Sequence, residues 1–391
     1  MDMIGSGRAP RPALSRTLGR VLANAILAVA LAAGTPSPGT PAAQAAGAPP
    51  APSGGAWVAP PPPARAVGPR FQRGVCYAHI HRRGFGYGSD ESRATLQRLK
   101  GLGVTWLSLT PFGYQRSVSS PEVIYRGDPS MRDSAFAREV RTIHALGMKA
   151  IIKPHIWAGD FWSGQWSGDI RMKKDADWDA WFRSYQAFIL HFAALAAVSG
   201  ADAFCIGCEL GGTTRARPER WRSLITEVRK VYHGPLTYAA NWHEEYEKVS
   251  FWDALDWIGV NAYFELSDDK TPTSFEIERA WRPITGKMAA LSRRWGRALV
   301  LTEIGFRSVD NPARNTSAWP EFDQGRHVNA EAQRACYEGT FRALWGEPWL
   351  AGMYWWKYYS APGGEGPEEA DFTPAGKPAE GVLAKYYRGA R

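Results

Sequence analysis

The chain has 391 residues, 45% hydrophobic and 22% charged, the composition of a globular protein with room for one large domain or two ordinary ones. Its formal charge is +9, but Lys and Arg are scattered among acids rather than blocked, which argues against nucleic acid as a partner. The outlier is tryptophan, with 18 copies, several in Gly- and Asp-rich stretches where exposed indoles suit flat apolar ligands such as sugar rings.

Residues 1–45 read as an export signal. Arg8, Arg11, Arg16 and Arg20 precede the apolar stretch 21–33 (VLANAILAVALAA), which is too short to span a bilayer comfortably. Ala43-Gln44-Ala45 offers an A-x-A site, so cleavage is expected after Ala45 and the product is secreted or periplasmic. An uncleaved signal anchoring the protein to the membrane is the alternative. No cysteine stands directly after the stretch, which argues against a lipoprotein. Residues 46–70 are mostly Pro, Ala and Gly, including Pro60–Pro63, and read as an extended linker that cannot bury a core.

The folded domain, 71–391, begins near Phe71. Short apolar strands then alternate with helices: strands near Gly74–Ala78, Thr105–Leu109, Lys149–Lys153, Ala203–Gly207, Leu236–Ala240, Trp257–Ala262, Ala298–Thr302 and Ala351–Trp355. Asp90 is expected to cap the first helix, Gly147 to stop the second, and Pro218 to open "PERWRSLITEVRKVY". Eight strand–helix units predict an α/β fold, a closed (β/α)8 TIM barrel, after the signal peptide and linker. An open doubly wound sheet is the alternative, but no Gly-rich phosphate turn follows the first strand. The segments Thr110–Arg132, Pro154–Lys174 and Gly305–Arg326, all after strands, are long, and such loops build the active face of a barrel. Trp157, Trp162, Trp166, Trp242, Trp319 and Trp356 fall on or beside them. The four cysteines read as buried free thiols; Cys205 and Cys208 form a C-x-x-C on a strand, without a second pair.

Two strands end in glutamate. "AFCIGCEL" closes an apolar run with Glu209, and "ALVLTEIGFRS" does so with Glu303. A charge after such a run is costly unless paired or used. These are the fourth and seventh strands, nearly opposite in a ring of eight, so their side chains converge over the barrel mouth. Facing carboxyl groups are what glycosidic cleavage needs: a proton donor, and either a nucleophile or a base for water.

At this point "CIGCELGGT", "GPLTYAANW", "FWDALDWIGVNAYF", "LVLTEIGFRS" and "MYWWKY" together resemble glycoside hydrolase family 113, within the clan of retaining (β/α)8 glycosidases. The resemblance runs from about Arg73 to Tyr359 and implies hydrolysis of β-1,4-mannan, with Glu209 as acid/base and Glu303 as nucleophile. It also implies that Tyr263 presents its phenol to the nucleophile and that Trp356 is a platform under the sugar, Trp355 facing outward. The acid must start protonated, which burial and the Glu303 charge promote. Asn241, His81, His155, Trp157 and Trp242 complete the candidate substrate-binding set. Many clan members have Asn before the acid/base to hold the sugar 2-hydroxyl. This chain has Cys208, a poor donor and acceptor, so that contact falls to another residue such as Asn241 or is absent. Glu244, Glu245 and Glu247 read as a solvated face.

Two other readings compete. His79 and His81 form an H-x-H after the first strand, as in metal-dependent amidohydrolase barrels. Of the further ligands needed, only His243 lies near strand five, strand six offers Asn261 and Tyr263 and strand eight Trp and Lys, so the set is incomplete. A non-catalytic carbohydrate-binding barrel is the third possibility. The expectation is a monomer that uses no metal or cofactor and takes a polysaccharide or oligosaccharide as its partner.

Overall fold

Eight short apolar runs become eight parallel strands that close on themselves. The computed structural model describes residues 67–389, apart from 69, 83, 127–130, 321–324 and 365–367. The export signal, its cleavage site and all but three residues of the linker lie outside the described residues. The strands are β1 (Gln72–Ala78), β2 (Trp106–Leu109), β3 (Phe112–Gln115), β4 (Lys149–Ile152) and β5 (His155–Ala158). They continue with β6 (Ala203–Cys208), β7 (Leu236–Asn241), β8 (Ile258–Asn261), β9 (Leu299–Ile304) and β10 (Leu350–Tyr359). The barrel runs β1-β2-β4-β6-β7-β8-β9-β10 and back to β1. The pair β3–β5 forms a separate two-stranded parallel sheet. Sequence reading had assigned both of those segments to loops, because four residues between turns carry too little alternation to stand out.

The helices are α1 (Asp90–Gly101), α2 (Asp133–Ala145), α3 (Asp175–Ser199), α4 (Gly211–Ala216) and α5 (Pro218–Val231). The others are α6 (Glu245–Lys248), α7 (Ser274–Trp295), α8 (Ala330–Leu344) and α9 (Pro378–Gly389). Ser89, not Asp90, caps α1: its side chain accepts from the Ser92 N–H, and Asp90 starts the first turn, where its charge suits the helix dipole. Pro218 sits at the start of α5, and Gly147 follows α2 with φ +69°.

The strands are buried on both faces, as in a parallel barrel sheathed by helices. Cys76, Ile151, Ala203, Cys205, Ala239, Val300 and Tyr354 fill the interior. Gly74 is required beside Tyr354, since a Cβ there would lie 2.4 Å from its ring. Between barrel and helices, Trp181 stacks on Tyr185 at 4.7 Å and Trp355 on Tyr337 at 3.8 Å. Each such buried ring contributes about 1.5–3 kcal/mol from burial. Many tryptophans are thus core, while Trp162, Trp166 and Trp319 are exposed. All four cysteines are buried and unpaired. Among the described residues no helix is long and apolar enough to cross a membrane.

Candidate active site

Strand alternation alone would not aim both glutamates inward. Inside the barrel Val300 is an interior residue, so strict period-2 alternation makes Thr302 its inward successor and turns Glu303 out. The register shows why this fails. Val260 pairs with Leu301 but Asn261 with Glu303, and Met353 pairs with Leu301 but Trp355 with Ile304. Relative to both neighbours β9 carries one extra residue, a bulge that brings Glu303 toward the mouth. Strand β6 does the same: Cys205 pairs with Thr237 and Cys208 with Ala239, so both cysteines face inward despite their odd spacing. Glu209 follows with φ +54°, a left-handed conformation uncommon for residues with a Cβ. A third shift, where Val75 pairs with Trp355 and Tyr77 with Tyr358, falls at Trp356.

Glu209 sits among neutral amides. Asn261 Nδ2 donates to its Oε1 at 3.0 Å and Asn241 Nδ2 at 3.2 Å. Burial, and then the negative charge of Glu303, push its carboxyl up from the ordinary 4.5 to about 8. Asn261 is held in turn by Thr302, whose hydroxyl donates to Asn261 Oδ1 at 2.9 Å.

Glu303 is 5% exposed and sits among cationic and hydroxyl donors. Tyr263 donates its hydroxyl to Oε2 at 2.8 Å, and the Lys153 ammonium makes a short ion pair with Oε1. Lys153 was missed in the sequence. It closes the apolar run of β4 as the glutamates close theirs, and Ile151, two residues earlier on the same face, lies inside the barrel. Its ammonium also donates to the Thr302 carbonyl at 3.2 Å. Burial alone lowers the Lys153 pKa, but Cys76, Glu303 and Cys208 around it raise it overall, so the amine stays charged. Cys208 lies between the two glutamates: it accepts from Asn261 Nδ2 at 3.3 Å and its thiol faces Glu303 Oε1 at 3.9 Å.

The other candidates divide. Trp356 reaches the site: its ring stacks on His155 at 6.2 Å and lies 5.7 Å from the Lys153 ammonium, while Trp355 faces the helices. His155 Nε2 is 3.7 Å from Glu303 Oε1 and has no hydrogen-bond partner. Burial and the Lys153 charge hold its imidazole well below the ordinary value, so it is neutral. Trp157 lies on β5 beyond His155, packed against Trp319 and Trp162. Trp242 follows Asn241 and packs edge-on against Phe264. His81, past the end of β1, packs edge-on against His79. One reading is overturned: Glu245 is not on a solvated face. It is 1% exposed and accepts from the Asn241 N–H, the Tyr238 hydroxyl and Thr214, bracing the strand end that carries Asn241.

Metal binding fits poorly. Within the described residues His155, Cys208 and Glu303 form the one close group of three potential ligands, and His79 and His81 belong to none. Lys153 already places a positive charge on the same Glu303 oxygen that such a cation would need. His79 Nδ1, moreover, accepts from the Tyr87 N–H.

Comparison with known proteins agrees with the resemblance seen in the sequence. The profile of Glycoside Hydrolase Family 113 matches residues 75–377. The GH113 β-mannanase AaManA from Alicyclobacillus acidocaldarius, solved in complex with ManMIm, is 30% identical with a TM-score of 0.71, over 82% of this chain and 98% of that one. A GH113 β-1,4-mannanase solved as a complex is 25% identical, TM-score 0.71, over 81% of this chain and 99% of that one. The Faecalibacterium prausnitzii β-glucuronidase, 12% identical with a TM-score of 0.55 over 82% of this chain and 49% of that one, shares the fold alone. No curated protein sequence matches. With its barrel closed and the family profile spanning most of the chain, the protein belongs to glycoside hydrolase family 113 and is a glycoside hydrolase.

Proposed function

We propose that the protein cleaves β-1,4-linked mannan or manno-oligosaccharides with retention of configuration, by double displacement. Glu303 attacks the anomeric carbon while Glu209 protonates the departing oxygen; Glu209 then takes a proton from the water that releases the sugar from Glu303. The substrate rests on the two β-mannanase neighbours; the mechanism rests on the contrast between the carboxyl groups. Glu209, pushed up to about 8, carries a proton to give at neutral pH. Glu303 has an ammonium on one oxygen and a phenol on the other, donors suited to a carboxylate that attacks as an anion rather than one that collects a proton from water. Asn241 touches Glu209, Tyr263 and His155 face Glu303, and Trp356 stacks on His155; the four are assigned to the sugar in the cleavage subsite. The unpartnered His155 Nε2 suits a sugar hydroxyl. Trp157, Trp242 and His81 are assigned to flanking contacts. Export through residues 1–45 suits a polymeric substrate that cannot enter a cell.

Purified protein incubated with manno-, cello- and xylo-oligosaccharides tests this, with Glu303→Gln as control. Shortened manno-oligomers, formed as the β-anomer and absent with the variant, are expected. Cleavage of another series alone would replace the substrate, an α-anomeric first product would overturn retention, and no cleavage would overturn the reading.

A further inference from the structure

The β3–β5 sheet carries an aromatic face. Along these strands Gly113, Gln115, Ile156 and Ala158 are buried, and Gly113 lies close against Phe188 of α3. The alternate residues Phe112, Tyr114, His155 and Trp157 share the other, half-buried face, with Phe112 paired to His155 and Tyr114 to Trp157. A sheet face left toward water is ordinarily polar. This one presents four rings.

The face continues outward from the candidate catalytic pair. His155 stacks on Trp356 and approaches Glu303, and Trp157 lies two residues further along the strand, about 6–7 Å away. There two different loops add rings to it. Trp319, from the segment after β9, centres 4.7 Å from Trp157, and Trp162, in the 3-10 turn Gly159–Ser163, centres 5.5 Å from it. Trp162 is 48% exposed and Trp319 40%. A contiguous exposed apolar surface beside polar surroundings marks a binding site more often than a packing defect.

We propose that Trp157, Trp162 and Trp319 form a flanking subsite that stacks on the apolar face of a hexopyranosyl unit one or two sugars from the cleavage subsite. The inference rests on the glycosidase reading and deepens it. The enzyme draws binding energy from a long chain at this platform, so its efficiency rises with substrate length. Flat aromatic stacking tolerates any pyranose with an apolar face, so the platform selects for chain length more than for sugar identity.

The test measures kcat/KM on manno-oligosaccharides of two to six units with the full protein, Trp162→Ala, Trp319→Ala and the double variant. Both side chains are substantially exposed, so the variants should fold, and circular dichroism checks it. For the unaltered protein kcat/KM is expected to climb with length. In the double variant the ratio between the six- and two-unit substrates falls about fivefold to tenfold, and Trp319→Phe restores most of it. An unchanged ratio overturns the subsite. If the unaltered protein cleaves nothing, the glycosidase reading fails instead. The platform is then judged by tryptophan fluorescence of Glu303→Gln titrated with mannohexaose: a quench abolished by the two Trp→Ala changes supports it, and no quench overturns it.

Discussion

The ends of β6 and β9 resemble each other in backbone and differ in chemistry. Each strand carries one extra residue before its glutamate; on β9 the bulge brings the Glu303 carboxyl toward the barrel mouth, whereas on β6 it turns Cys208 inward and Glu209 follows with φ +54°. The surroundings then diverge. Among the described residues Glu209 meets two amide donors and no cation, whereas Glu303 meets Lys153 and Tyr263. Burial and the neighbouring negative charge raise the proton affinity of Glu209, while the donors around Glu303 suit an anion, the contrast on which the proposed acid and nucleophile roles rest. Lys153 is the largest single difference between the two surroundings.

The sharpest way to break this comparison is to remove each carboxylate in turn. Glu303→Gln is expected to cost more than about 10⁴-fold in kcat on every substrate, because no covalent intermediate can form. Glu209→Gln is expected to cost about 10²–10⁴-fold on oligosaccharides. Its loss should shrink on an aryl glycoside whose leaving group needs no proton, and azide should recover turnover by taking the place of activated water. Steady-state kinetics with and without azide checks both. Equal losses on both substrates, or azide rescue of the Glu303 variant, would reverse the assignment.

Much of this site was legible before any fold was known. The rule that an apolar strand should not end in a charge without reason found Glu209 and Glu303, and Tyr263 came with the family resemblance. The same rule, applied evenly, finds Lys153, which ends "KAIIK". It escaped because a lysine at a strand end reads as a solvated charge, while this one is 1% exposed. Glu245 escaped for a related reason: in "HEEYEK" nothing local separates the buried carboxylate from its exposed neighbours, and only the approach of Tyr238 and the Asn241 backbone makes the distinction. Bulges are also hidden from a sequence, since the extra residue is defined by pairing with strands far along the chain. The eight barrel strands, by contrast, were visible because each is a compact apolar run set off by turn residues.

A double-variant cycle sharpens the comparison further. The Lys153–Glu303 pair is buried, so removing either member leaves the other charge without a partner, at a cost of about 3–5 kcal/mol. Lys153→Met and Glu303→Gln are each expected to lower stability by an amount in that range, and the double variant to recover most of it. Urea unfolding of the four proteins measures this. Additive losses would mean that Lys153 acts through Thr302 and Cys76 rather than through the carboxylate.

The most gradual effect, spread over several pH units, comes from Glu209. Its folded value, about 8, lies above the ordinary 4.5, so between those pH values the folded protein keeps a proton that the unfolded chain has lost. Stability from this group is therefore whole below about pH 4.5 and is lost as pH rises toward 8, with a slope of at most about 1.4 kcal/mol per pH unit. Glu139, pushed up to about 7 by burial, contributes with the same sign from outside the site, so a falling stability curve alone proves little. The informative quantity is a difference. Gln at position 209 imitates the protonated acid and keeps an oxygen for Asn241 and Asn261, so Glu209→Gln should match the unaltered protein at low pH. It should gain on it steadily up to about pH 8, then run parallel. In the unaltered enzyme kcat/KM should fall through the same upper pH. A stability difference that levels off near pH 5 would make Glu209 an ordinary carboxylate, and the contrast between the two strand ends would then need another source.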